Sequence, residues 1–109
     1  MTGNEYQVLA ARTIPSGNKK DMKSHALHGL AGEVGELHSI YQKIYQGHPV
    51  DEEHLKKETG DILWMVAEFC TANGWQMEDI MQLNIDKLKA RFPKGFEVAR
   101  SLHRKEGDI

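Results

Sequence analysis

Between positions 22 and 46 the apolar side chains fall at 27, 30, 34, 37, 41 and 44, in steps of three and four. That spacing draws one stripe along an α-helix and does not fit the two-residue repeat of a strand. Gly47 and Pro49 end the pattern, and Asp51 is placed to cap the next helix. The third helix is expected over 52–72, stopped by Asn73-Gly74, and the fourth over 77–92, halted by Pro93 and weakly capped by Gln76. A shorter first helix is expected over 4–13, followed by a loop over 14–20 that contains Pro15 and Gly17. The tail has room for one short helical turn. No strand pattern of useful length is present. The expectation is an all-α, four-helix bundle-like domain whose short connections favour antiparallel neighbours. It is read as a single domain over 1–109: an N-terminal helix and loop (1–20), the central helices (22–92) and a tail (93–109).

The third helix constrains the assembly. Ile62, Leu63, Trp64, Met65, Val66 and Ala67 are six consecutive apolar residues, so this helix is hydrophobic nearly all round and needs cover on more than one side. A partner chain supplying that cover makes a homo-oligomer the expectation; the other solution is a central helix wrapped by its own three neighbours. Formal net charge is −2, so no overall basic field invites a nucleic-acid polymer. No apolar run approaches the roughly 20 residues a membrane helix needs. The first residues lack the basic and apolar regions of a signal peptide, and a lone Cys70 excludes an internal disulfide. A cytoplasmic protein is expected.

The chemistry is carried by paired acids. Glu33 and Glu36 are three apart, as are Glu58 and Asp61, and each pair lies at the margin of its helix's apolar stripe. Antiparallel packing of the second and third helices brings four carboxylates together. Like charges in a partly dry site repel, and a hard divalent cation with oxygen ligands is the natural remedy. Acids three apart are also common on solvated helix faces, and that reading stays open here. A ferritin-like di-iron site requires Glu-x-x-His on two helices, and no glutamate in the chain has a histidine three residues later. Gly29, Gly32 and Gly35 interrupt the second helix at intervals of three, and Gly60 precedes Asp61. They suit either close helix packing or access of a ligand to the backbone. On the fourth helix, Asn84, Lys87 and Arg91 are interleaved with Ile80, Leu83 and Leu88. Their donors suit phosphate oxygens, while snorkelling outward or pairing with the acids is the other use.

Taken together, GLAGEVGEL, KKETGDILW and NIDKLKARFPKGF resemble the MazG-type nucleoside triphosphate pyrophosphohydrolases, an all-α superfamily, over about residues 24–97. The family pattern E-x-x-E then E-x-x-D corresponds to Glu33, Glu36, Glu58 and Asp61, and the later N-x-x-K-x-x-x-R to Asn84, Lys87 and Arg91. The resemblance implies cleavage of an NTP or dNTP between its α and β phosphates, giving a monophosphate and pyrophosphate. It implies Mg2+, with Mn2+ a substitute, held by the four acids. Glu36, Glu33 and Lys87 would be catalytic, and Asn84, Lys87 and Arg91 would bind substrate. It also implies a homodimer or homotetramer and a role in clearing surplus or non-standard nucleotides. Two rival readings are a related hydrolase acting on another phosphorylated nucleotide, and a non-catalytic helical module whose acids hold a structural cation.

Overall fold

The computed structural model of the chain describes residues 1–14 and 19–109. It is helical, with five helices and, among the described residues, no strand. They divide into two compact units, 1–76 and 77–109. Among the described residues no helix is long and apolar enough to cross a membrane.

The first unit contains α1 (Gly3–Ala11), α2 (Lys19–Tyr45) and α3 (Glu52–Asn73). Local chemistry fixes their ends. Thr2 caps α1 in a capping box: its hydroxyl accepts from the Glu5 amide at 3.1 Å, and the Glu5 carboxylate accepts from the Thr2 amide at 3.3 Å. The Asp51 carboxylate accepts from the His54 amide at 3.1 Å and starts α3 as expected. Gly74 ends α3 at φ 72°, a left-handed conformation that costs glycine nothing, and lets the Trp75 amide donate back to the Cys70 carbonyl at 2.9 Å. The helix α2 begins at Lys19, three residues before the apolar stripe predicts, because polar residues can extend a helix beyond the stripe that buries it. Positions 15–18 of the expected loop lie outside the described residues.

α3 is the central element, packed against α2 on one side and α1 on the other. Met65, Ala67, Cys70 and Ala72 of α3 and Ala26 of α2 are buried. Burial pushes the Cys70 thiol pKa up, as for an inert core cysteine. The α1 contact is also polar: the Gln7 side-chain amide donates to the Thr71 hydroxyl at 3.2 Å and the Trp75 carbonyl at 2.8 Å, and the Trp64 indole donates to the Thr13 hydroxyl at 2.9 Å. Trp64 is thus occupied structurally. Leu63, in the same apolar run, remains 44% exposed.

The second unit contains α4 (Met77–Arg91) and α5 (Val98–Leu102), the latter formed in the expected tail. Ile80, Leu83 and Leu88, expected to mark a core-facing stripe, are exposed. A five-residue helix is too short to cover the length of α4.

The glycines of α2 separate by function. A Cβ on Gly29 would collide with the Met65 sulfur, so Gly29 makes room for the Met65 side chain of α3. At Gly32 a Cβ would meet nothing within 4 Å. Gly29→Val therefore destabilises the chain by about 1–3 kcal/mol through overpacking, whereas Gly32→Ala stabilises it by about 1 kcal/mol through helix propensity alone. Urea unfolding of both variants checks the opposite signs.

Candidate metal centre

The α2–α3 seam is read directly from its contacts. His25 meets Glu68, Gly29 meets Met65, and Glu33 meets Glu58 and Asp61, so each step forward on α2 is a step back on α3. The two helices run antiparallel, and of these three contacts that of the acids lies nearest the connecting loop.

There, one carboxylate oxygen from each of Glu33, Glu58 and Asp61 lies within 4.8 Å of the others. All three side chains are half-buried. Spacing explains the arrangement: Glu58 and Asp61 stand one turn apart on the same face of α3, and Glu33 approaches from α2. Glu33 has its pKa raised, first by burial, then by the charges of Asp61 and Glu58, a hydrogen bond with Glu58, and the charge of Glu36. Glu36 is exposed and is not one of the three converging groups, although its charge reaches Glu33. The His54 imidazole lies 3.4 Å from a Glu58 oxygen, one turn back on α3.

The donor set is entirely oxygen, anionic and crowded. A cation entering it relieves the repulsion that raises the Glu33 pKa, and a hard divalent ion fits such donors. Asn84 and Lys87 lie exposed on α4, while Arg91 is largely buried in an ion pair with Asp108 at 2.7 Å. Lys87 belongs to the same electrostatic group, since its charge helps to hold the Asp108 carboxyl below its ordinary value.

Two features of the first unit escaped sequence reasoning. Tyr6 of α1 has its phenol pKa raised, first by burial and then by the charge of Asp61, so α1 brings an aromatic hydroxyl into the field of the acid group. No spacing within the chain links positions 6 and 61. Further along the seam, Glu68 is buried, and both its oxygens face Nδ1 of the half-exposed His25, at 2.8 and 3.0 Å. Here a signal existed: Glu68 is a lone carboxylate in an apolar stretch, seven residues after Asp61 and hence on the same helix face.

The raised pKa of Glu33 sets a pH dependence. A carboxyl whose folded pKa exceeds its unfolded value holds a proton more tightly in the native state. Its contribution to stability is complete below the unfolded pKa and is lost as pH rises through the folded one. A bound cation reverses that loss and competes with the proton. Magnesium therefore raises the melting temperature more at pH 7.5 than at pH 5, a difference that thermal unfolding with and without the ion measures. An equal increment at both pH values would contradict the assignment.

Comparison with known proteins finds a family and a relative. The family model described as the MazG nucleotide pyrophosphohydrolase domain matches residues 20–96, which include both halves of the acid group. The gene 37 protein of Mycobacterium phage L5 is 29% identical over 100 residues, covering 83% of this chain and 88% of that protein. No solved structure matches the chain.

Proposed function

The chain belongs to the MazG nucleotide pyrophosphohydrolase family, and from that premise we propose that it hydrolyses an NTP or dNTP to a nucleoside monophosphate and pyrophosphate with the help of Mg2+, or Mn2+ in its place. The observation that carries the reading is the approach of Glu33, Glu58 and Asp61 to within 4.8 Å.

In this reading Glu33, Glu58 and Asp61, with Glu36 beside them, would hold the ion. Bound there, a divalent ion would offset triphosphate charge and make a water molecule more acidic. Glu36, exposed and near Glu33, accepts the proton of the attacking water as general base. The water oxygen forms a new bond to phosphorus, the bridging P–O bond between the α and β phosphates breaks, and pyrophosphate leaves. Lys87 and Arg91 stabilise charge growing on the phosphate oxygens, and Asn84 orients them by hydrogen bonding. This division of labour explains how a chain of net charge −2 binds a polyanion.

The same reading makes the protein a homodimer or homotetramer. Leu27, Val34 and Tyr41 of α2 and Leu63 of α3 are each at least 38% exposed, and the buried apolar set of the chain is small. A second copy is the simplest cover for such helices. A cytoplasmic role in removing unwanted nucleotides follows from the chemistry.

With magnesium and a panel of NTPs and dNTPs, the purified protein yields monophosphate and pyrophosphate, resolved by ion-exchange chromatography. Glu36→Gln and Asp61→Asn each lower turnover by about 100-fold or more. Diphosphate and orthophosphate as products would show cleavage at the other anhydride and refute the reading.

A further inference from the structure

The segment that follows α5 folds back onto the end of α4, and Asp108 meets Arg91 there. The Arg91 Nε donates to one Asp108 oxygen at 2.8 Å and Nη2 to the other at 2.7 Å, a bidentate pair. The two side chains are only 11% and 16% exposed. Around them lies a small pocket lined by Arg100, His103, Arg104 and Lys105 as well.

The charges in that pocket do not balance. Arg91, Arg100, Arg104 and Lys105 line it as permanent cations, and Asp108 is its one lining carboxylate. Glu97 answers Arg100 at 3.5 Å from outside the lining. Arg91 Nη2 also donates to the Ile109 main-chain oxygen at 3.5 Å, and Arg104 and Lys105 share with Arg91 the one carboxylate of the lining. A pair whose purpose was to fasten the segment would need one cation. The surplus suits an anion carrying more charge than a carboxylate, and the fork of Arg91 that now grips two carboxylate oxygens grips two phosphate oxygens equally well.

We propose that the pocket formed by Arg91, Arg100, His103, Arg104 and Lys105 is a phosphate-binding site, and that Asp108 is its intramolecular occupant, displaced when a phosphorylated ligand enters. The inference rests on the reading of Arg91 as a phosphate ligand and adds a competitor to it. Substrate binding then includes breaking the Arg91–Asp108 pair, and affinity for phosphate is held down by the protein's own carboxylate. The pKa of Asp108 is lowered, chiefly by its hydrogen bonds to Arg91 and further by the charges of Arg91, Arg104 and Lys87, against the opposing effect of burial. The occupant is therefore ionised at neutral pH and competes as an anion.

Calorimetric titration without metal tests this on the full chain, with inorganic pyrophosphate in one arm and a nucleoside triphosphate in the other. Asp108→Asn removes the charge and retains hydrogen-bonding capacity, and it tightens binding by about tenfold in at least one arm. Adding Arg104→Ala reverses most of the gain. A gain with the triphosphate alone identifies substrate as the ligand, and a gain with pyrophosphate identifies recognition of the phosphates themselves. Unchanged or weaker binding of both ligands by Asp108→Asn, with or without a fall in melting temperature, overturns the proposal and leaves the pair a structural tie. Tighter binding without nucleotide hydrolysis by the wild type would refute the pyrophosphohydrolase reading and leave the anion site standing. Hydrolysis with no gain in binding would do the reverse.

Discussion

Carboxylates repel one another most where water is partly excluded, and the seam between α2 and α3 gathers three of them within 4.8 Å. Folding of this chain has to supply something that outweighs that repulsion. Part of it is visible in the neighbouring turns: the Met65 sulfur sits over Gly29, and beyond it His25 satisfies the buried Glu68. The repulsion itself shows in the raised pKa of Glu33, which burial and the charges of Asp61 and Glu58 produce. The seam is a ladder in which close packing and one satisfied polar pair hold two helices in a register that their acids alone would oppose. That register makes the site, because sliding α2 by one turn would move Glu33 past Asp61 and leave Glu68 without His25.

The two charge-bearing parts of the chain are opposites in design. The acid group of the first unit has excess negative charge and calls for a cation. The group around Arg91 has excess positive charge and calls for an anion. Taken by itself, each group suits one component of the proposed substrate, the acid group a cation and the Arg91 group a phosphate. The exposed apolar side chains of α2, α3 and α4 add that a lone chain leaves its helices incompletely covered.

Much of this was legible in the sequence because it depends on short-range spacing. Steps of three and four gave α2, Asp51 and Gly74 gave the limits of α3, and the i,i+3 acids gave the face on which Glu58 and Asp61 stand together. What could not be read depends on which distant residues meet. Position 6 approaches Asp61 only because α1 packs across α3, and Asp108 reaches Arg91 only because the segment after α5 turns back. Gly29 and Gly32 look alike in sequence and differ only in whether Met65 lies opposite. The stripe of α4 illustrates the converse: a helical period predicts which side chains share a face, and says nothing about whether one chain is large enough to cover it.

The most direct test of the central claim is to locate the cation. Crystals of the protein grown with Mn2+ and measured at a wavelength where manganese scatters anomalously will reveal where the ion sits. A peak within coordinating distance of Glu33, Glu58 and Asp61 is the result expected from the crowding of these three groups. A manganese-saturated crystal whose peaks all lie elsewhere, with the three carboxylates still together, would show that their convergence serves packing or protonation and would contradict the metal-centre account.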